Sequence, residues 1–497
     1  MPSPSSHLTF EAYPRVRTQF LFLVCFYSSV AICAAQRTLL APGPTVRRDL
    51  TTTFPTSDTP SGLLSGSTPT GQLTPHAIPL TLSDAVARGL RYNLGSITGE
   101  LTVRRANAAR LAELSNLLPN LTAHVVESSQ QINLKAFGFG GFPGIRSIVG
   151  PFQVLDVRAS LSQAILDISA LAAWRGSREV TRSVDLANRN LRDSVILAVV
   201  DLYLRAITGQ ARAESAKAQL ATAEAEYRQA LNMKAAGVVA GIDVLRAQVQ
   251  LQSEQQRNIA LGNEFQREKL DLARAIGLPL GQEFLLSTGV GYAPTPSLTL
   301  EEALRRSYES RPDYQAAVSA ERAAELQKRA ASGARLPTLY FTGDYGTIGP
   351  TVRDNHGTYT AAVGLQFPIF EGGRIRAEIE QADTLLAQRR AETADLRGRI
   401  DYEVRTSFLN VNSAREQVEV AQSARKLAAE QLVQARDRFA AGVANNLEVV
   451  QAQQAVATAE ENFISSLHAY NLSKASIRRS IGRAQDIPSE FLGVPKQ

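Results

Sequence analysis

From Arg374 to Ala440 the chain runs without a proline and is dominated by Ala, Gln, Glu, Arg and Leu, residues that favour helix. Leu396, Ile400, Val404, Phe408 and Val411 step by three and four along it, the period of one helical face. At about 1.5 Å per residue such a helix is roughly 100 Å long, and no small domain can bury it. A strand precedes it: Tyr359, Ala361, Val363, Leu365 and Phe367 alternate with Thr358, Thr360, Ala362, Gly364 and Gln366, which puts one apolar and one polar face on the element. Pro368 cannot donate to a strand ladder and Gly372 and Gly373 loosen the backbone, so Phe367-Pro-Ile-Phe-Glu-Gly-Gly373 reads as a knuckle between strand and helix.

The second half of the chain echoes the first. Leu80-Thr-Leu82 recurs as Leu298-Thr-Leu300 and Leu118-Pro119 as Leu336-Pro337, both 218 residues on; Ala236-Gly-Val238 recurs as Ala441-Gly-Val443 and Ile276-Gly277 as Ile481-Gly482, both 205 on. The difference falls in the strand hairpin, whose first copy carries the longer loop, Asn133 to Gly150. Each repeat therefore reads as helix, strand, strand, long helix, tight turn, shorter helix, with repeat one over 80–290 and repeat two over 291–488. Thr81 with Asp84, and Thr299 with Glu302, have the spacing of capping boxes, and Pro119 and Pro337 terminate the opening helices. Leu82–Leu117 and Ile242–Ile276 together nearly equal the long helix Ile168–Ala235 in length, so two short helices stacked end to end can line a wall beside a long one. That arrangement makes a cylinder.

Phe20–Ala35 is an apolar run after Arg15 and Arg17 that ends in Cys33-Ala34-Ala35, which reads as a signal peptide over 1–35. An uncleaved N-terminal anchor is the alternative; a lipoprotein cleavage at Cys33 is disfavoured by Ile32 before it. Both cysteines, Cys25 and Cys33, lie in this leader, so its removal leaves neither disulfides nor a thiolate metal site. Residues 36–79, rich in Pro, Thr, Ser and Gly, read as a flexible tether, and 489–497 as a tail. The net charge of +6 comes from bases interleaved with acids along helices, which points to solvated faces and not to nucleic acid. The five histidines, His7, His76, His124, His356 and His468, are scattered, and there is no nucleophile elbow or zinc-ligand spacing. The chain is expected not to be an enzyme and to need no cofactor or metal. Gly138-Phe-Gly-Gly-Phe-Pro-Gly144 lacks the phosphate-cradle spacing and reads as a surface hairpin loop.

The second strand of repeat one, Gln153–Leu161, puts Leu155, Val157, Ala159 and Leu161 on one face and Asp156, Arg158 and Ser160 on the other; the first, Leu121–Gln131, alternates poorly. Strands of 9–11 residues with one apolar face span a bilayer when tilted. Open sheet edges are not tolerated in lipid, and four strands are too few to close, so the barrel must be shared among chains. A soluble four-stranded sheet on a coiled coil is the alternative.

At the helix–turn–helix tips, Gly237 and Gly442 can take the left-handed conformation that ends a helix. Asn445 can cap the next helix with Glu448 at its third position; the counterparts in repeat one are Ala240 and Asp243. Helix-dipole complementation is one sufficient reason for Asp243 and Glu448; a ring of acids at a tunnel mouth, one from each copy, is another. The small turns Ala236-Gly237-Val238 and Ala441-Gly442-Val443 read as an exposed docking end.

The strand-FPIFEGGR-helix passage, the Gly237 and Gly442 turns each followed six residues later by an acid, and the duplication resemble the TolC-like outer-membrane efflux family over about residues 80–485. The resemblance implies a trimer in which four strands per chain build a twelve-stranded β-barrel in the outer membrane, continuing into a long α-helical barrel through the periplasm. It also implies docking to a periplasmic adaptor protein and an inner-membrane pump, and passive conduction. Asp243 and Glu448 match acidic tip positions that in the family take part in a constriction and its latch. Phe439 stands where a latch tyrosine would be, Ala444 where a latch arginine would be, and Gln451 where a second ring acid would be. A type I protein-secretion exit duct is the alternative within the family, and a periplasmic coiled-coil structural or adaptor protein the alternative outside it.

Overall fold

The long proline-free run folds as one helix with the expected ends, Arg374–Ala440, in a computed structural model that describes residues 64, 66–138, 146–286, 292, 298–441, 443–444 and 446–486. These all belong to one unit of the chain, Pro60–Gln497. The leader, the tether before residue 64, most of the Gly138–Gly144 loop, Gly442, Asn445 and the C-terminal tail lie outside the described residues.

The elements run β1 (Ile78–Leu80), α1 (Leu82–Tyr92), α2 (Leu94–Ser115), β2 (Asn120–Asn133), β3 (Ile148–Leu166), α3 (Ile168–Ala235) and α4 (Gly241–Ile276), then β4 (Phe284–Leu286), α5 (Leu300–Ser310), α6 (Pro312–Gly333), β5 (Thr338–Gly349), β6 (His356–Gln366), α7 (Arg374–Ala440) and α8 (Asn446–Ser480). Strands β2, β3, β5 and β6 form one antiparallel sheet in that order, and β1 pairs with β4 in parallel. The long helix α3 packs on α2 and α6 along its strand-side half and on α4 and α8 beyond; α7 packs on α6 and α5 and then on α8. The wall is therefore one helix thick, with short helices in two tiers beside the long ones.

Three sequence expectations are corrected. The opening helix does not run unbroken from Leu82 to Leu117: it ends at Asn93, whose backbone is extended and whose side chain accepts from the Gly95 amide at 2.9 Å. Asn93 is fully buried and donates to the carbonyls of Leu64 and Ala275 at 2.7 and 3.1 Å; a cap that satisfies so many backbone groups outcompetes one more helical residue. The same break recurs at Arg311, held extended by Pro312, which opens α6. Secondly, the Thr81–Asp84 capping box forms in full, but only half of its counterpart does. The Glu302 carboxylate turns to Arg305 and Arg306 at 2.8 and 2.6 Å, leaving only the Thr299 hydroxyl on the Glu302 amide. Thirdly, the end of the expected tether is fastened down: the Thr70 amide donates to the Gly277 carbonyl at 3.1 Å, the Thr74 amide to Gln282 at 2.7 Å, and β1 joins β4.

The largest core sits at the waist of α3, where Val195, Ile196, Val199, Val200, Tyr203 and Leu204 meet Leu272 and Ile276 of α4 and Leu80, Leu82 and Phe284. Tyr203 donates its hydroxyl to the Leu80 carbonyl at 3.0 Å, satisfying a buried phenol in an apolar setting. This stretch makes α3 long and apolar enough to pass for a membrane span, but it is the waist core. Below the waist the seams are built on alanine: Ala216, Ala223 and Ala230 on α3, and Ala414, Ala421, Ala428 and Ala435 on α7, are all buried at seven-residue intervals. A strict seven-residue period imposes a left-handed supercoil, and a methyl-sized knob lets the helices approach closely.

Candidate functional site

The register of the sheet sorts its side chains onto two faces. Val125, Val157 and Thr347 align on one, as do Ala123, Ala159, Tyr345 and Tyr359, and Leu121, Leu161 and Ala361. Leu121, Val125, Tyr345, Tyr359, Val363 and Leu365 are all exposed in the single chain, Tyr359 at 79%. The opposite face carries His124, Arg158 and Thr358, and Thr122, Ser160, Asp344 and Thr360. Arg158 donates to Asp156 at 2.6 Å and reaches Asp344 at 3.4 Å, so its guanidinium is paired within that polar face. Among the described residues the sheet is open at both sides, with no strand beside one edge of β2 and one of β6. The helical wall also ends in exposed apolar stripes, Ile242, Leu245, Val249 and Ile259 on α4 and Tyr402, Leu409, Val420 and Leu427 on α7.

The knuckle joins sheet to wall. Gly372 and Gly373 both take positive φ, +62° and +89°, with open space where a Cβ would stand, so the requirement for glycine here is purely conformational. Gly373 caps α7, Arg374 pairs with Glu371 and with Glu378, and Ile369 and Phe370 beyond Pro368 are almost fully exposed.

At the far end, roughly 100 Å away by helix length, the two tips close alike. Gly237 has φ +74°, its amide donates to Lys234 at 3.0 Å, and the Val238 amide reaches back to Met233 at 2.8 Å, the Schellman arrangement that satisfies the last carbonyls of a helix. The Val443 amide makes the same 3.0 Å bond to Arg438, with the Ala441 amide on Asp437. In this arrangement the residue after the glycine often packs back on the helix; Val238 and Val443 instead are 63% and 71% exposed.

The predicted acids occupy different settings. Asp243 is in the first turn of α4, where Ala240 gives no side-chain cap, and Arg246 one turn on reaches it at 3.4 Å. Glu448 is in the first turn of α8 and pairs across the turn with Arg438 of α7 at 3.0 Å. Gln451 is exposed. Asn445 lies outside the described residues; its neighbour Asn446 is buried and donates to the Asp243 carbonyl at 3.3 Å, tying the two tips together. Two partners escaped the sequence reading. Arg438, ten residues before Glu448, comes beside it only because the turn folds α8 back on α7. Glu226 of α3 accepts from Arg436 of α7 at 3.0 Å and from Gln453 of α8, joining the two helical hairpins; burial raises its pKa, with Arg436 and Gln453 opposing. Among the described residues no group of three or more His, Asp or Glu is placed to hold a metal.

Residues 303–483 match the family model described as outer membrane efflux protein. The chain is 22% identical over 342 residues to the alkaline protease secretion protein AprF of Pseudomonas aeruginosa, covering 67% of this chain and 71% of that one. It is 25% identical over 341 residues to the outer membrane protein OprJ of the same organism, covering 64% and 66%. Its fold is that of the Campylobacter jejuni CmeC outer membrane channel, with a TM-score of 0.71 at 17% identity over 84% of this chain and 90% of that one.

Proposed function

We propose that the chain is a member of the TolC-like outer-membrane efflux protein family, an outer-membrane channel protein, and that three copies close into one passive exit duct. The observation that supports the reading is the open edge. A four-stranded sheet with an exposed apolar face cannot stand in lipid with its edge amides and carbonyls unpaired, and three such sheets edge to edge give twelve strands, each paired on both sides. The same closure covers the apolar stripes on α4 and α7 and makes the helical wall a barrel. In this reading the polar face with Arg158, Asp156 and Asp344 lines water, the two tandem repeats 80–290 and 291–488 each supply half of a subunit, and the duct spans outer membrane and periplasm.

Small molecules delivered by an inner-membrane pump through a periplasmic adaptor are the proposed cargo, with Gly237, Val238, Gly442 and Val443 as the landing points and Asp243, Asn445, Glu448 and Gln451 around the constriction. The likeness to AprF, whose name states protease secretion, supports a second reading in which the cargo is a secreted protein. Deleting the gene separates the two: sensitisation to small toxic compounds supports the first, and loss of a secreted protein from the medium supports the second.

Assembly is tested on the full-length protein. It is expected to require detergent for extraction and to run as a trimer. Val363→Arg, on the apolar face, should cost about 2–4 kcal/mol if the residue meets mid-bilayer lipid and reduce trimer yield, whereas Thr360→Arg on the polar face should be mild. A monodisperse monomer released without detergent would sink the proposal.

A further inference from the structure

Below the waist the two helical hairpins part to leave a groove of about 870 Å³ between α3 and α8, with α4 and α7 at its sides. Along α3 it runs from Leu204 to Ala223, about 28 Å of helix. The opposite side of the seam is bridged by Arg212 of α3, which reaches Glu461 at 2.8 Å and Ser465 at 3.1 Å on α8, and the tip end is closed by the link from Glu226 to Arg436 and Gln453. Its walls are mostly apolar, with Ile207, Leu432, Val456, Phe463, Ile464 and Leu467 contributing.

The carboxylates in those walls have no basic counterpart among the lining residues. Glu214, Glu254 and Glu460 line the groove, and no lysine or arginine does. Glu460 is held from behind by Arg425 at 3.1 Å, which also lies over the Phe463 ring at 4.7 Å, and Glu214 accepts from Gln210 at 2.9 Å. Glu254 differs: it is 6% exposed, one carboxylate oxygen accepts from Gln250 at 3.0 Å, and the other has no partner. Asn471, 1% exposed, also has a side-chain oxygen without a partner, as does Gln453. His468 adds no positive charge, because burial lowers its pKa below the usual value. A buried carboxylate oxygen left bare is costly, and here it belongs, with two further bare acceptors, to residues that line a cavity whose size suits a small molecule.

We propose that this groove is a binding site for an amphipathic organic cation, whose apolar body packs on the α3 and α8 walls while its positive centre is neutralised by Glu254. Carboxylates without a lysine or arginine in the lining select a cation, and the long apolar walls select against a small hydrated ion, which would strip its water against hydrocarbon. The groove is formed within one chain, so the site does not depend on the number of copies or on the cargo of the duct.

The test uses the full-length protein in detergent and two probes of the same size and opposite charge, tetraphenylphosphonium and tetraphenylborate, in equilibrium dialysis against detergent alone. Tetraphenylphosphonium should bind saturably at about one ion per chain and tetraphenylborate should not. Glu254→Gln should weaken phosphonium binding by about tenfold or more. Ala218→Trp, at an exposed position on the groove wall, should remove it, with far-UV circular dichroism confirming that the helices persist. Should Ala218→Trp fail to fold, the charge pair of probes and Glu254→Gln still decide. Equal uptake of the two ions, no saturable phosphonium binding, or binding unchanged in Glu254→Gln overturns the proposal.

Discussion

Asp193 is the buried charge whose removal should strengthen the protein. It sits at the waist on α3, 4% exposed, with one carboxylate oxygen lacking a partner. Burial raises its pKa from 3.8 to about 6; Gln485, Arg479 and Arg192 oppose that rise and Asp313 adds to it. Arg479 does not close an ion pair on it, donating instead to Ser194 at 3.3 Å, and Asp313 is bound by Arg311 at 2.7 Å. A shift of that size, at about 1.36 kcal/mol per unit, corresponds to about 3 kcal/mol. The folded pKa lies above the unfolded one, so the contribution of this group is fully present below about pH 4 and is lost as pH rises through about 6. Asp193→Asn keeps the shape and the Gln485 contact without the charge. Relative to wild type it should be near neutral at pH 3.5 and more stable by about 1–3 kcal/mol at pH 8. The measurement is thermal melting of the detergent-solubilised protein by circular dichroism at several pH values, read as the difference between variant and wild type. A difference that stays flat with pH, or a variant less stable at pH 8, would refute the reasoning and make the field of Arg479 worth more than the burial.

Two further outcomes follow from the tips. Gly237→Trp and Gly442→Trp should keep trimer yield and membrane insertion, since at Gly237 nothing stands within 4 Å of an added Cβ and the left-handed backbone costs only about 1–2 kcal/mol. Export and site-directed crosslinking from tip to adaptor should be lost; normal crosslinking in both would mean that the tips do not mediate docking. Arg438→Ala should make single-channel current in a planar bilayer more sensitive to block by di- and trivalent cations, and Glu448→Ala should abolish that block; block unchanged in both variants would remove Glu448 from the conduction path.

Much of the fold was legible because its signals are long or local. The ends of α7 follow from a run without proline between a Gly-containing knuckle and a Gly-containing turn, those of α3 from a similar run between the Asp167 cap and its Gly-containing turn, and the faces of β3 and β6 follow from alternation. The alternation of β2 is weak because the face it shares with Arg158 mixes Thr122, His124 and Val126, so polarity does not alternate although the ladder does. The break at Asn93 was hidden by Leu90 and Leu94, which continue a helical stripe across it; only the contacts to Leu64 and Ala275, far apart in sequence, make the cap worthwhile. The alanine seams stand at seven-residue spacing in the sequence, but a methyl side chain carries little hydrophobic contrast in helices already rich in alanine, so the stripe does not stand out from its surroundings. The groove around Glu254 left no signal of its own: its lining residues come from four helices, and each one in isolation reads as a solvated helical face.

The tip acids show how one pattern in sequence can carry two chemistries. Asp243 and Glu448 stand at equivalent places, six residues after a turn glycine and in the first turn of a helix, so the helix dipole favours both by about 0.3–1 kcal/mol. Their partners differ. Arg246 approaches Asp243 from the same helix at 3.4 Å, which adds nothing between helices, whereas Arg438 meets Glu448 from the other helix of the hairpin at 3.0 Å and so restrains how α8 leaves the turn. Both members of the Arg438–Glu448 pair are about half exposed, which limits its contribution to about 1 kcal/mol or less; its weight lies in charge and position. Three copies of a bare glutamate around a mouth would repel one another and recruit a bridging cation. Three copies that each carry an arginine would instead sum to no net charge. Arg438 stands ten residues before Glu448, a distance along the chain that says nothing of its place beside that acid.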